Sequence, residues 1–449
     1  MTAPHVLSVV LAAGQGTRMK SHTPKPLHKL AGRSLLGHAL ALTTAAKHDR
    51  SVVIVGPNME TVRADAEAHR PDVETFLQPQ QNGTGGAVLA ARSVLQDHHG
   101  DVYVLFCDTP LLRATTLGRV ADELNDGANV VVLGFEAKDP AGYGRLVQDD
   151  RGDLVAIREH RDASQIELGI SLCNSGVMAL RCPNLVNLLE QIGNGNAKGE
   201  YYLTDIVQIA RDSGLSCRVV TCGEDELLGI NDRIQLAEAE EQLQRRLRET
   251  AMRNGATLIA PGTVWFSHDT LLGRDVVVEP NVVFGPGVTI EDGALIRANS
   301  HIEGAHIGRG ARVGPFARLR PGAHLGENVH IGNFVEVKNV AMGDGAKANH
   351  LSYIGDGSIG EKANIGAGTI FCNYDGFRKH RTSVGKGAFV GSNSSLVAPL
   401  NIGEGAFIGS GSVVTRDVPA DALALERSDQ VVREGWAAKF RRLMMRNQK

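Results

Sequence analysis

The sequence predicts an α/β domain built on a mostly parallel sheet, then a long helix, then a parallel β-helix of hexapeptide repeats. Three patterns carry this. From about Val264 to Val414 an apolar residue returns every six positions, with a small residue two places before it and often a Gly just after. Examples are Val329-His330-Ile331-Gly332, Ala363-Asn364-Ile365-Gly366 and Ala406-Phe407-Ile408-Gly409. Up to about Phe135, short apolar runs alternate with helical segments. Between these regions, Asn231 to Arg253 is rich in Glu, Gln and Arg around a stripe of Leu236, Leu243 and Leu247.

Each hexad supplies one short strand and a turn, with its Ile, Val or Leu pointing inward. A single hexad cannot bury that residue, so stacked neighbours build the core together. A Gly-rich antiparallel β domain would instead show period two. The phase breaks are informative. Ile302 and Ile307 are five apart, as are Ile354 and Ile359, and between Ile370 and Val384 the hexads stop. Phe371 to Arg381 must leave the coil as a loop, and insertions in a solenoid gather on one face, often a binding face.

The first half reads as strands at Val6–Leu11, Val52–Val55, Val73–Leu77, Val102–Phe106 and Val130–Phe135. Helices are expected at Leu35–Ala46, Met59–His69, Gly86–Leu95 and Thr115–Leu124. Such a βαβ series predicts a parallel sheet covered by helices, with ligands outside the carboxyl ends of the strands. Asp232 and Gln235 are spaced like a capping box at the start of the long helix, and Gly255 ends it. The segments expected are 1–230, a linker helix 231–254, and 255–449.

At 449 residues the chain has room for two to four domains. Its net charge of −3 gives no global basic field for nucleic acid. A basic C-terminal cluster (Lys439, Arg441, Arg442, Arg446, Lys449) reads as a solvated tail or a phosphate site. The six cysteines form no CxxC pair and no secretory signal precedes the first strand, so reduced thiols in the cytoplasm are expected. No run approaches the ~20 apolar residues of a membrane span.

The residues after the strands narrow the chemistry. Leu11-Ala12-Ala13-Gly14-Gln15-Gly16-Thr17-Arg18 is a small-residue turn whose backbone N–H groups can hold phosphate. It is neither a Walker A loop nor a full GxGxxG, and alone it is equally a plain loop. The added cation of Pro24-Lys25-Pro26 favours a polyphosphate ligand. Gln78 can read a nucleobase edge, and the Asn82-Gly83-Thr84-Gly85 segment after it serves equally as a turn and helix cap. Asp108, after the fourth strand, is either an ordinary turn residue or a Mg²⁺ ligand.

Together these motifs resemble the sugar-1-phosphate nucleotidyltransferases. Gly142-Tyr143-Gly144-Arg145, Glu159-His160-Arg161-Asp162-Ala163, Asn174-Ser175-Gly176, Gly199 to Asp205 and Gly229-Ile230-Asn231-Asp232 extend the match. With the hexad solenoid behind it, nearly the whole chain resembles the bacterial bifunctional N-acetylglucosamine-1-phosphate uridyltransferase / glucosamine-1-phosphate N-acetyltransferase family. The resemblance implies a Rossmann-like α/β nucleotidyltransferase domain and a left-handed β-helix. It implies acetyl transfer from acetyl-CoA to glucosamine-1-phosphate, then uridyl transfer from UTP to N-acetylglucosamine-1-phosphate, supplying peptidoglycan and lipopolysaccharide precursors. It also implies a homotrimer with acetyl-CoA sites between subunits.

Carried over position by position, the resemblance gives Leu11, Ala12, Ala13, Gly14 and Gln78 to the uracil and ribose, with Gly83 and Thr84 nearby. It gives Arg18 and Lys25 to the triphosphate, Asp108 and Asn231 to Mg²⁺, and Gly144, Glu159 and Asn174 to the sugar. The chain departs from the pattern at Phe106-Cys107, where Tyr-Gly is usual, so a bulkier side chain stands at that contact. In the solenoid, Arg320, Lys338, Tyr353 and Asn364 fall to glucosamine-1-phosphate. Ala367, Asn373, Tyr374, Ser392, Ser410 and Arg427 fall to acetyl-CoA, Ser410 replacing a frequent Ala. An ammonium cannot attack a thioester, so a base is needed, and His350 is the candidate. A lone His in a solenoid is otherwise a surface or packed residue, and a solenoid can be a trimerisation scaffold or a partner-binding module without chemistry. His350, the 371–381 loop and the Arg320/Lys338 pair are what such a scaffold would not need.

Overall fold

The computed structural model describes residues 5–446. Lys449 of the basic cluster lies outside the described residues. The chain divides into two compact units, Met1–Arg246 and Leu247–Lys449. The boundary falls inside the helix Arg233–Arg253, because its first half and its end pack on different cores. Ala239, with Leu236 and Leu243, joins Leu30, Leu35, Leu111 and Ile230. Leu247 and Ala251 pack on the solenoid core.

The first unit is built on strands β1 (Val6–Leu11), β2 (Arg50–Val55), β3 (Glu74–Leu77), β4 (Asp101–Phe106), β5 (Val130–Glu136), β6 (Arg145–Gln148), β7 (Leu154–Arg158), β8 (Leu172–Leu180) and β9 (Cys217–Thr221). The order across the sheet is β9-β5-β8-β4-β1-β2-β3. Pairs β1–β2, β1–β4, β2–β3 and β5–β9 are parallel. The central strands are Val-rich and buried on both faces, as a sheet with helices on each side requires. Strand β8 runs antiparallel between β4 and β5, and the β6–β7 hairpin hangs from it. One departure from expectation concerns residues 86–95. Instead of one helix there are two, Thr84–Leu89 and Arg92–Asp97, separated where Ala91 leaves helical geometry (φ −91°, ψ 22°).

The second unit is a three-faced β-helix. Face one stacks Leu258, Val278, Ile296, Val313, Ile331, Ala348, Ile365, Val390 and Ile408 in parallel register. Face two carries Phe284, Ile302, Leu319, Val337, Ile354, Phe371, Leu396 and Val414. Face three carries Leu272, Ile290, Ile307, Leu325, Met342, Ile359, Val384 and Ile402. These residues form one continuous buried core. Both five-residue steps, the 371–384 excursion and a third short step, Val337 to Met342, all fall at the edge between faces two and three. One edge of the prism is therefore tightened, and the loop leaves from that same edge.

Candidate active sites

In the first unit the carboxyl ends of β1, β3 and β4 open on a cavity of about 370 Å³. It is lined by Leu11 to Gly14, Lys25, Gln78, Gln81, Gly83, Thr84, Phe106 to Asp108 and Glu200. A larger cavity, of about 490 Å³, lies at the opposite end of β4 and holds none of the candidate residues. The walls of the first cavity are fixed by hydrogen bonds. Gln78 is buried, and its Nε2 donates to Gly83 O at 3.0 Å and Asn82 Oδ1 at 3.3 Å. Gln81 Nε2 donates to Ala13 O. The 82–85 turn is pinned to 201–203, with Tyr201 N donating to Asn82 O, Gly85 N to Tyr201 O, and Leu203 N to Thr84 Oγ1. Gly83 has φ +114°, and a Cβ there would lie 2.5 Å from Tyr201 O, so only Gly fits. A Cβ on Gly14 would meet nothing within 4 Å, so its bareness leaves room for a ligand.

The bulkier Phe106-Cys107 pair leaves that wall intact. Cys107 is buried with the core on one face of the sheet, and its N–H donates to Leu11 O at 3.3 Å. Burial, reinforced by Asp108, pushes its thiol up to about 12. It is therefore a neutral packing group.

The polar groups converge at the cavity's mouth. Lys25 Nζ lies 2.5 Å from Asp108 Oδ2 and 3.1 Å from Asn231 Oδ1. Arg18 Nη2 reaches the same Asn231 oxygen at 2.9 Å. Residues far apart in sequence meet because Ile230 N donates to Asp108 O at 2.9 Å. The helix cap helps. Asp232 Oδ1 accepts from Gln235 N at 2.9 Å, half of the expected capping box. The returning arm goes one residue further back, Gln235 Oε1 accepting from Asn231 N at 2.8 Å, and so holds Asn231 in place. Gly16 (φ +63°) lets Lys25 pass close, since a Cβ there would lie 2.4 Å from Lys25 Cβ.

The residues expected to take the sugar lie on β8 (Asn174) and at the ends of the β6–β7 hairpin beside it (Gly144, Glu159). The register of β8 shifts between Asn174 and Met178, and such bulges re-aim side chains. Asn174 N donates to Gly144 O at 2.8 Å, and Asn174 Oδ1 accepts from Gly176 N at 2.9 Å. Arg145, almost fully buried, donates to Tyr143 O and so braces the Gly144 loop. Burial raises the carboxyl of Glu159, while a hydrogen bond from Thr204 Oγ1 (3.3 Å) partly offsets this.

In the solenoid the candidates fall into distinct groups. His350 sits at the edge between faces one and two, aligned with Asn333, and its Nδ1 is 2.6 Å from Asn333 Oδ1. Continuing the face-one register puts His350, Ala367, Ser392 and Ser410 in one column. Arg427 Nη1 donates to Ser410 O at 2.9 Å at its foot. Arg320, Lys338 and Tyr353 lie on face two, with Arg320 and Lys338 on adjacent rungs. Arg320 is held by Glu336 at 2.8 Å. At the edge with face three, Asp356 accepts from Asn339 Nδ2 (2.8 Å) and Asn373 Nδ2 (2.6 Å). Asn373 also donates to Tyr353 OH at 3.3 Å. Asn364 lies on face one, paired in register with Lys347, and joins none of these contacts. Tyr374 is 61% exposed at the loop.

Known proteins locate this geometry. A MobA-like NTP transferase domain matches residues 8–167. Bacterial transferase hexapeptide repeats match 269–304 and 304–339, and a hexapeptide repeat of succinyl-transferase matches 381–416. The bifunctional protein GlmU of Azorhizobium caulinodans is 59% identical over 442 residues, 98% of each chain. Those of Xanthobacter autotrophicus (57%, 98% of each chain) and a Bradyrhizobium strain (54%, the full length of both) are similarly alike. The chain belongs to the GlmU family.

In this GlmU-family chain, two neighbours of the candidate residues, Asn333 and Asp356, are not singled out by the sequence, and a third, Lys379, is expected only as one of the cations of the 371–381 loop. Asn333 pairs with His350 from 17 residues earlier, one coil away. Asp356 is the hub that gathers Asn339, Asn373 and, at 3.9 Å, Lys338 Nζ. Lys379, from the loop, stands against Lys338 and, as the largest cause, lowers its ammonium from the usual lysine range. Like charges this close disfavour the protonated form, while Asp356 on the other side of Lys338 partly offsets this. Coil-length spacing was the signal for Asn333 and for the Asn339–Asp356 pair; the contacts of Asn373 and Lys379 depend on where the loop folds back.

Proposed function

We infer that this chain runs two successive transfers. The second unit acetylates glucosamine-1-phosphate from acetyl-CoA, and the first joins the N-acetylated sugar phosphate to the uridylyl group of UTP. The observation that carries the uridyl-transfer reading is the meeting of Lys25, Arg18, Asp108 and Asn231 beside a nucleoside-sized cavity. A sugar-phosphate oxygen attacks the α-phosphorus in line and pyrophosphate leaves. Such a step needs positioning and charge neutralisation more than covalent help. Lys25 and Arg18 offset the triphosphate charge, while the pinned Gln78 and Leu11–Gly14 wall orient the base. Glu159, Asn174 and Gly144 take the sugar.

Asp108 and Asn231 already share one cation, the Lys25 ammonium, so one carboxylate and one amide oxygen can converge on Mg²⁺. That number of protein ligands suits an ion that keeps phosphates and water around it. When bound, Mg²⁺ would neutralise phosphate charge.

For acetyl transfer, the tautomer of His350 follows from its partner. An amide oxygen only accepts, so Nδ1–H donates to Asn333 Oδ1 and Nε2 keeps its lone pair. Nε2 takes the proton from the attacking amine. The amine nitrogen bonds to the thioester carbon, the C–S bond breaks, and the proton passes to the departing thiolate of coenzyme A. Arg320, Lys338 and Lys379 take the sugar phosphate, and the Ala367–Ser392–Ser410 column with Arg427 takes acetyl-CoA.

A homotrimer completes this reading. Ala367, Ser392 and Ser410 lie at one edge of face two, and Asn373 and Tyr374 leave from the other. The corner at 351–352 and the 353–356 part of the face-two strand lie between those edges. Beside His350, Phe316 and Phe334 stack with ring centroids 5.2 Å apart and, with Leu351, stand 49%, 55% and 60% exposed. A neighbouring copy on this apolar column would bring its own loop to His350. A cytoplasmic location fits the substrates and the six free cysteines. The test is two assays on the full chain: thiol release from acetyl-CoA with glucosamine-1-phosphate, and pyrophosphate release from UTP with N-acetylglucosamine-1-phosphate. Both are expected, and absence of either from folded protein contradicts the reading.

A further inference from the structure

Asp356 puts a charge where the coil needs none. It sits at the edge between faces two and three, with Asn339 one coil earlier, and both take left-handed backbone (φ +51° and +50°). Short Asn and Asp side chains tolerate that conformation. At the edge between faces one and two, Asn281 and Asn299 make the same stack with amides alone, Nδ2 to Oδ1 at 3.3 Å. An amide at 356 would therefore serve the coil. Asp356 is instead a carboxylate, buried, with each oxygen engaged. Oδ1 accepts from Asn339 Nδ2 and Oδ2 from Asn373 Nδ2. Burial works against its charge, but the two amides, Lys338 and Lys379 favour it, and the carboxyl is held below its usual range.

That charge faces crowded cations. Lys338 Nζ lies 3.9 Å from Asp356 Oδ2, and Lys379 stands against Lys338 from the loop. Arg320 is one rung away and already paired with Glu336 at 2.8 Å. Lys379, burial and Arg320 all disfavour the Lys338 ammonium, and Asp356 works against them. We propose that Asp356 is a positioning residue for acetyl transfer, whose carboxylate lets Lys338 and Lys379 stand together as one cationic clamp for the phosphate of glucosamine-1-phosphate. The inference rests on the acetyl-transfer reading above. With both oxygens engaged and the side chain buried, the carboxylate compensates the lysines without meeting the substrate phosphate. Through Asn373 it also ties the loop that carries Lys379 to the coil beside Lys338. One group thus sets both the charge and the geometry of the clamp.

The test is the KM for glucosamine-1-phosphate in acetyl transfer by the full chain, followed with pH at saturating acetyl-CoA. Asp356→Asn keeps the shape of the side chain and suits the left-handed corner. Without the opposite charge, Lys338 gives up its proton at lower pH. KM should rise on the order of 10-fold at neutral pH, and its climb with pH should begin about one unit lower than in the unchanged chain. Uridyl transfer should not change. Lys379→Gln, on the loop, removes the repelling neighbour. Alone, it should move the climb to higher pH. Combined with Asp356→Asn, it should carry the climb back up while KM stays raised, which a merely structural role of Asp356 would not produce. An Asp356→Asn profile that superimposes on that of the unchanged chain overturns the proposal. An equal loss at every pH also overturns it and makes Asp356 only an anchor of the loop. If Lys379→Gln leaves the climb where it was, the two lysines do not form one clamp and the proposal fails without reference to Asp356→Asn. Absence of acetyl transfer from the unchanged chain would instead overturn the reading on which the proposal rests, and the proposal with it.

Discussion

Single residues decide both candidate sites. Gly83 is the clearest case, with φ +114° and Tyr201 O 2.5 Å from any Cβ. Gly83→Ala should cost about 1–3 kcal/mol and cut uridyl transfer while sparing acetyl transfer; thermal melts and the two assays check this. Asn333 is the counterpart in the solenoid. Without its oxygen, Nδ1–H of His350 loses its partner and the ring its orientation. Asn333→Ala should lower kcat for acetyl transfer on the order of 10- to 100-fold with KM little changed. A larger effect on KM than on kcat would assign Asn333 to binding instead. At this scale the sequence could single out Asp108, Lys25 and His350 as candidates, but their expected roles rest on the family resemblance and not on residue type. It was silent on Asn333 and Asp356, whose meaning depends on stacking one coil over the next, and it marked Lys379 only as one of the loop's cations, since its partner depends on how the loop closes.

Elements were legible where periodicity is strong. The hexads dictate the three faces, and the buried Val-rich runs dictate β1, β2, β4 and β5. Sheet partners are not written in such runs, so the antiparallel placing of β8 and the broken helix over 84–97 came only with the fold. The same sheet carries a titration switch. His48 is buried, its Nδ1 2.6 Å from Ser8 Oγ, and its ring 4.5 Å from that of Tyr103. Burial first, then Arg70, lowers it to about 4, although Asp49 and Asp101 pull the other way. A base held neutral in the fold stabilises above its unfolded value of ~6.5. That stability is lost as pH falls from there toward 4, by up to about 3 kcal/mol. Denaturant titrations between pH 7 and 4 should show the loss in the first unit, and His48→Gln should flatten it. In the other unit Asp375 organises the 373–381 loop by accepting from Phe377 N (2.8 Å) and Arg378 N (2.6 Å) and bonding His380 Nε2 at 2.7 Å. Asp375→Ala should raise the KM for acetyl-CoA and leave uridyl transfer unchanged.

At the scale of the whole molecule, two sites on two units make separable claims. The trimer reading predicts that His350→Ala and Asn373→Ala chains, each inactive in acetyl transfer, regain part of that activity when co-expressed. One chain then lends its His350 and the other its Asn373. No recovery in mixed oligomers would mean that each acetyl site is built within one chain. The central claim, two independent transfers by residues on separate units, is tested most directly by measuring both activities in Asp108→Ala and His350→Ala. The account predicts that Asp108→Ala loses uridyl transfer and keeps acetyl transfer, and that His350→Ala does the reverse. Loss of both activities in either folded variant, or retention of acetyl transfer in His350→Ala, would contradict it.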